Sequence, residues 1–412
     1  MKVLWVKADK LLPVNNGGNI RSYHLLKHLA QRHELTFLSY YGGAPDPQYQ
    51  NALKAELPGS VVVCTGKREV QGAARAWDYA MHLPAHAPYA VARFRARAVQ
   101  ELIRKWFRER RFDVAVCDFL DAAINFPEDI EIPSVLFQHN VESEIWRRHA
   151  ITETNGLRKR IYGLEFRKMF QYERKTIRRF DHVIAVSEND RRLMTGWVDG
   201  SRITVVPTGV DLRQFQPVDG HGPTYPLVVF TGAMDWEPNV DAVEYFCSEI
   251  WPAVLAKIPG ARFRIVGRNP DQRVRKLVGA TVEVTGSVPS IVDHLGEAAT
   301  VVVPLRIGGG TRLKIYEAMA MGKAVVSTSV GAEGLAVHDG TDIVLADSAP
   351  QFAAAIVKLL TSEGSRVSLE RAAAQLAARY DWAVVSESFA EVLAGVVAGS
   401  QPGNARAFAF QH

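Results

Sequence analysis

Cysteine is scarce in this chain: three in 412 residues, Cys64, Cys117 and Cys247, with no CxxC pair among them. That spacing excludes a disulfide-built scaffold and a structural zinc set, and it fits a reducing cytosol. Long apolar runs are missing too, because no stretch stays apolar for the ~18 residues that would suggest a spanning helix. The opening Met1-Lys-Val-Leu-Trp-Val-Lys-Ala-Asp9 carries charge inside its apolar stretch, so it reads as a first strand rather than a signal peptide. Low-complexity segments are absent, as are repeats of ~20–50 residues, which excludes a solenoid. A Walker loop, an HExxH pair and a GxGxxG after a first strand are also missing, which argues against a P-loop NTPase, a zincin or a dinucleotide dehydrogenase. His24 and His28 stand at helical spacing but have no acidic third ligand, so no metal is expected. What is present is ordinary for a globular protein: 47% hydrophobic and 23% charged residues, in a length that suits two domains of ~100–200 residues.

The net charge of +5 is unevenly divided. Through residue 205 there are 32 Lys+Arg against 23 Asp+Glu, or +9, and the remainder carries 17 against 21, or −4. Short β-branched runs alternate with longer amphipathic ones, as stacked βαβ units do. Strands are predicted at 2–6, 35–39, 60–64, 114–117, 134–137 and 182–186, then at 227–231, 262–266, 282–285, 300–303, 324–327 and 343–345. Helices are predicted at 21–31, 94–110 and 158–179, then at 240–257, 312–320 and 350–360. The pattern predicts an α/β chain of two Rossmann-like, doubly wound domains, 1–205 and 206–382, joined through the Pro- and Gly-rich stretch 206–222. A helix at 383–398 is expected to pack back onto the first domain, and 399–412 to form a flexible tail. Such sheets bind ligands beyond the carboxyl ends of their strands, so two of them facing each other predict a cleft.

The richest segment is Pro304-Leu-Arg-Ile-Gly-Gly-Gly-Thr-Arg-Leu-Lys-Ile-Tyr-Glu-Ala-Met-Ala-Met-Gly322, which follows a strand and opens a helix. Gly308, Gly309 and Gly310 free backbone amides for close approach, and the helix start adds partial positive charge. Arg306, Arg312 and Lys314 add full charges. Lys314 and Glu317, at i and i+3, project from one face, a cation beside an acceptor. That pairing suits a diphosphate next to a ribose.

This segment resembles the donor-site motif of the retaining GT-B glycosyltransferases of family four, in which two glutamates with seven residues between them lead into Ala-Met-Ala and Gly. Val205-Val-Pro-Thr-Gly-Val-Asp211 is similar to the family's interdomain signature. Phe230-Thr-Gly232, Ile265-Val-Gly267 and Val284-Thr-Gly286 are similar to its strand-end glycines, and Asp181-His-Val-Ile-Ala-Val-Ser-Glu188 to the last strand of its N-terminal domain. Two departures stand out. Gly309 occupies the place of the first glutamate, and the turn Gly232-Ala-Met-Asp-Trp-Glu-Pro-Asn239 lacks the family's phosphate-gripping arginine and lysine. The Trp-Xaa-Pro-Asn turn is similar to that of members encoded with bacterial exopolysaccharide and exosortase systems.

The resemblance implies a donor site of Gly232, Arg306, Gly308, Gly309, Gly310, Thr311 and Arg312, with Lys314 and Glu317 in catalytic contact. Arg306, Arg312 and Lys314 would replace the missing phosphate cations, so no metal or cofactor beyond the nucleotide-diphosphate sugar is expected. In the first half, Gly17 and Gly18 lie after the first strand in Pro13-Val-Asn-Asn-Gly-Gly-Asn19. They are similar to the family's paired glycines on the acceptor side, with Asn19 expected to cap the helix that follows. His139, at a strand's carboxyl end, matches a histidine that borders the donor sugar, so the resemblance implies a catalytic place for it, orienting the acceptor or hydrogen-bonding the sugar. Glu142 and Glu144 nearby read as a surface face.

Two basic stretches complete the reading. Residues 93–111 hold eight Arg/Lys, and 157–180 hold nine, interleaved with Tyr162, Phe166, Phe170 and Tyr172. Without a nucleic-acid motif, this charge suits an anionic membrane surface and a glycan or lipid-linked acceptor, with no nucleic acid as partner. The expected function is sugar transfer with retention in exopolysaccharide synthesis, in the cytoplasm at the inner face of the plasma membrane. A non-catalytic donor-binding partner and a nucleotide-sugar epimerase are the alternatives.

Overall fold

Near-continuous apolar runs bounded by turns make strands buried on both faces, which is how parallel sheets read in sequence. In the computed structural model, which describes residues 1–66, 72–217, 225–307 and 312–399, those runs form two all-parallel sheets. The first joins β1 (Lys2–Ala8), β2 (Glu34–Tyr41), β3 (Ser60–Cys64), β4 (Val114–Asp118), β5 (Ser134–Gln138), β6 (His182–Ala185) and β7 (Ile203–Val205) in the order β3-β2-β1-β4-β5-β6-β7. The second joins β8 (Leu227–Thr231), β9 (Arg262–Val266), β10 (Val282–Gly286), β11 (Thr300–Val303), β12 (Val325–Ser327) and β13 (Val344–Leu345) in the order β10-β9-β8-β11-β12-β13. Each order reverses once, between β1 and β4 and between β8 and β11, and open parallel sheets bind ligands at such switch points.

The chain divides into two compact units, Met1–Pro207 with Val385–His412, and Thr208–Val384. In the first, Val3 to Val6, Val114 to Cys117 and Val135 to Phe137 are fully or almost fully buried. The final helix, Trp382–Val397, contributes Val385, Phe389, Val392 and Leu393 to that core. Its Phe389 ring lies 5.3 Å from Trp5 and 5.1 Å from Phe137.

Two expected elements differ. The helix after β1 spans Gly17–Leu29, and its cap is Asn16, whose side chain accepts from the Asn19 amide at 2.9 Å. Gly17 and Gly18 therefore form the first helical turn instead of a loop before it. Asn19, expected as the cap, turns its amide to the Lys10 carbonyl at 3.1 Å. The helix read at 240–257 is two helices, Glu237–Tyr245 and Trp251–Lys257, joined by a π-helical turn at Phe246–Ile250. Pro252 has no N–H for an i−4 bond, and a wider turn before it accommodates the loss. The short strand β7 and the helix Glu142–Thr152 were not anticipated.

Candidate active site

The second unit places the donor-side residues around the end of β8. The chain leaves Thr231 through Gly232, whose amide donates to the Val266 carbonyl at 2.9 Å. A Cβ on Gly232 would come within 2.6 Å of the Asn239 amide nitrogen and 2.8 Å of Lys314 Nζ. A side chain at 232 would therefore displace Asn239 and Lys314: the turn, an amide and an ammonium share one small space. Lys314 lies in the helix Leu313–Ala320, which starts directly after Arg312. Its Nζ donates to Asn239 Oδ1 at 3.0 Å and lies 4.1 Å from the Phe230 ring centroid. Asn239 is buried and donates its own amide to the Ala233 carbonyl at 2.9 Å, so its side chain ties the turn to the lysine. Arg312 is buried beside Trp236, its guanidinium carbon 5.4 Å from that ring.

Electrostatics here is set by desolvation. Lys314 is pushed down to about 7, by burial first and then by Arg312, with Glu317 opposing. Glu317 is pushed up to about 7 by burial, and Lys314 pulls it back. Each thus sits where a ligand of the right charge shifts it readily: an anion near Lys314 would restore its proton. Arg306 is engaged elsewhere, its Nε 3.1 Å from Asp241 and its guanidinium over Tyr245 at 4.4 Å. Gly308, Gly309, Gly310 and Thr311 lie outside the described residues. Lys314, Glu317, Gly232 and Arg312 come together; Arg306 is paired with a carboxylate.

In the first unit, the carboxyl ends of β1, β4 and β5 hold a closed network. Neither His139 nor Asp118 has any exposed side-chain surface, and His139 Nε2 lies 2.7 Å from Asp118 Oδ1. Asp118 Oδ2 also accepts from Ser22 at 2.6 Å and from the Trp5 indole at 2.9 Å, and Lys7 stands 3.7 Å away. Burial alone would raise Asp118, but Lys7, His139 and Ser22 outweigh it and hold the carboxyl at about 2. Burial pushes His139 down to about 4 against the pull of Asp118. The ring is therefore neutral near pH 7. Its Nε2–H donates to Asp118, and Nδ1 faces Arg21, 3.5 Å away, as acceptor.

Phe119, held at φ +67°, stacks on His139 with centroids 3.6 Å apart and only 10° between planes. The same ring fills the space beside Gly18, where a Cβ would come within 2.5 Å of its Cζ. In this arrangement the absence of a side chain at Gly18 admits an aromatic ring. Glu142 and Glu144 part company. Glu144 is ion-paired to Arg147 and Arg148, as a surface face would be, whereas Glu142 is pushed up to about 8 by burial, Asp121 and Glu173. Glu173 is buried at the start of the helix Glu142–Thr152, accepting from the amides of Glu142 at 2.8 Å and Ser143 at 3.0 Å. It satisfies N–H groups that a helix start leaves unpaired. Burial raises it to about 7 and Asp121 to about 6.

With this geometry in place, comparison with known proteins decides the enzyme class. A model described as Glycosyltransferase Family 4 matches residues 15–214, and one described as Glycosyl transferases group 1 matches 225–362. The chain is a glycosyltransferase, similar to family four over residues 15–214. It is 29% identical over 321 residues to a phosphatidyl-myo-inositol mannosyltransferase of Mycolicibacterium smegmatis, covering 74% of this chain and 78% of that one. It is also 29% identical over 236 residues to a D-inositol 3-phosphate glycosyltransferase of Mycobacterium ulcerans, where 51% of this chain spans about half, 49%, of the relative. Among solved structures, a sucrose-phosphate synthase of Thermosynechococcus elongatus aligns with a TM-score of 0.72 at 15% identity, covering 97% of this chain and 100% of that one. Anabaena HepE, crystallised with UDP and glucose, aligns at 0.65 and 15% identity over 96% of this glycosyltransferase and 99% of its own chain. These likenesses establish the GT-B fold.

Several site residues were invisible beforehand. Asn239 and Lys314 are 75 positions apart, and Arg21 and His139 are 118 apart. Asn239 was quoted only as the end of a turn, and Asp118 and Phe119 stood in an otherwise apolar strand end; no spacing pairs any of them with its partner.

Proposed function

We propose that this glycosyltransferase moves a sugar from a nucleotide-diphosphate sugar, with retention of configuration, to a lipid-linked or growing exopolysaccharide glycan. The observation that carries the donor half is the Gly232 turn, where a side-chain-free backbone, a partly desolvated ammonium and the start of a helix converge. An anion bound there would recover for Lys314 the charge stabilisation that burial removes. The diphosphate is assigned to the Gly232 turn, Lys314 and Arg312, and the ribose hydroxyls to Glu317. The sugar is assigned to the Gly308, Gly309 and Gly310 amides. Arg306 joins once an anion competes with Asp241 for it. Cations in this place would neutralise the departing diphosphate without a metal, and each donor aimed at that charge is worth ~2.7–4 kcal/mol by the oxyanion-hole precedent.

The acceptor side is assigned to Gly17, Gly18 and the surroundings of His139. A lipid-linked acceptor is supported by the name of the mannosyltransferase relative, which acts on a phosphatidyl-inositol, and would place the enzyme at the inner face of the plasma membrane. The UDP and glucose seen in HepE support a nucleotide sugar as donor.

The test is a thermal-shift screen against UDP, GDP, ADP and TDP and their common sugars, since a ligand of the native state raises its midpoint. One diphosphate should shift the wild type and leave Lys314→Ala unmoved. A shift that survives in Lys314→Ala removes the donor-site assignment.

A further inference from the structure

Three helices of the first unit, Gly72–His82, Glu142–Thr152 and Gly156–Ile177, meet in one corner of it. Lys168 Nζ donates to the Leu83 carbonyl at 2.7 Å, and Tyr79 donates to Glu165 at 3.2 Å. Trp146 and His149 pack on Tyr162, with centroids 6.0 and 5.6 Å away. On this corner Trp77 and Leu157 are each 70% exposed, Met81 64% and Ile151 59%, and no large apolar side chain among the described residues is more exposed. Trp77 and Met81 share one face of their helix, while Tyr79 between them turns inward to Glu165 and Tyr89. Leu157 and Leu164 continue the apolar strip along the third helix toward Lys168.

On the third helix the exposed charge along this strip is positive, while Asp78 on the first helix is half-exposed and engaged by His82 and the Tyr89 hydroxyl. Arg158, Lys159, Arg160 and Arg167 are exposed beside it. The acid within the same stretch, Glu165, is buried and accepts from Tyr79 and from the Tyr89 amide at 3.0 Å. Aromatic and long apolar side chains left in water, rimmed by cations, are what a lipid interface accommodates and bulk water penalises. The aromatics picked out in the sequence do not supply this face. Phe166 packs on Phe170 and Phe170 on Trp197, at 6.1 and 5.5 Å. Nor does the helix Arg97–Arg108, whose Val99, Ile103, Trp106 and Phe107 are buried in the core.

We propose that this corner docks on an anionic lipid bilayer. Trp77, Met81, Leu157 and Leu164 would enter the interface, and Arg158, Lys159, Arg160 and Arg167 would meet lipid phosphates. The proposal deepens the lipid-linked-acceptor reading and rests on it for the identity of the partner, bringing the first domain to the surface where such an acceptor is held.

The experiment is sedimentation of the full chain with vesicles of phosphatidylcholine alone and of phosphatidylcholine mixed with phosphatidylglycerol. The mixed vesicles should carry the protein down and the neutral ones should not, with added salt weakening the binding. The double variant Trp77→Ser, Met81→Ser should bind roughly tenfold more weakly or worse. Neutralising Arg158, Lys159 and Arg160 to Gln should weaken binding by roughly fivefold per charge at low salt. Absence of binding to the mixed vesicles, or full binding by Trp77→Ser, Met81→Ser, overturns the proposal. The nucleotide thermal shift, read on the same variants, separates the two readings. If a diphosphate still shifts the midpoint while vesicles fail, only the docking surface falls. If vesicles bind while no diphosphate shifts it, only the donor assignment falls.

Discussion

The two candidate sites are built in opposite ways. Around His139 and Asp118 every charge has a buried partner: lysine, serine and indole converge on one carboxylate, and an aromatic ring lies over the histidine. Around Lys314 and Glu317 two groups of opposite charge sit half-buried on one helix face, each displaced toward about 7. The first network is complete without a ligand and fixes the ends of β4 and β5. In the second, burial pushes the lysine down and the glutamate up, and their mutual attraction offsets only part of each shift. A satisfied polar cluster rigidifies, whereas an undercompensated one binds.

The comparison can be broken at its strongest point. Asp118→Ala leaves Lys7 buried without its counter-charge, so it should lower stability by ~3–5 kcal/mol, seen in denaturant unfolding. A loss under about 1 kcal/mol there, the range of an exposed ion pair, would mean that this network does not hold the sheet ends. On the other side, Lys314→Ala and Glu317→Ala should each cost ~2.7–4 kcal/mol of transition-state stabilisation, a rate loss of roughly a hundredfold or more, with the thermal midpoint almost unchanged. Full transfer activity in either variant defeats the donor assignment.

Asn239 sharpens the contrast, because it acts only by placing the lysine. Losing one hydrogen bond to a charged group in Asn239→Ala should weaken diphosphate binding by about 1.5–3 kcal/mol, measured by titration calorimetry. Its pH dependence is the telling readout. Because Lys314 is depressed to about 7, affinity for an anion should fall as pH rises through that value. Asn239→Asp should move the fall to higher pH, and a profile unchanged in both variants would make Asn239 merely structural.

The smallest effect concerns Glu142 and Glu173, raised to about 8 and about 7. The unfolded chain releases these protons near the ordinary carboxylate value while the folded chain keeps them. Stability should therefore decline as pH rises from the ordinary value to about 8. Melting midpoints across that window should fall in the wild type and fall less in Glu142→Gln.

Legibility followed range. β3, β8, β9 and β11 have the spans read from their β-branched runs, and Lys314 and Glu317 were found because helical spacing places them on one face. β7 escaped notice because three residues carry too little pattern. Asn16 lost the cap role to Asn19 in the reading because several neighbouring residues suited it equally. The exposed corner was only partly legible for a related reason: amphipathic spacing shows that a helix has an apolar face but not whether a neighbour covers it. Arg97–Arg108 buries its apolar face in the core, while Trp77 and Met81 stay in water.

The sequence by itself determined the two parallel sheets, the Gly232 turn and the Lys314–Glu317 pair, because these depend on periodicities of a few residues and on local backbone chemistry. Only the tertiary structure decided that Asn239 holds Lys314, that Phe119 covers His139, and that Arg306 is paired with Asp241. Those contacts join residues far apart in the chain, and desolvation, which sets their charge states, is a property of the packed surroundings and not of any residue alone.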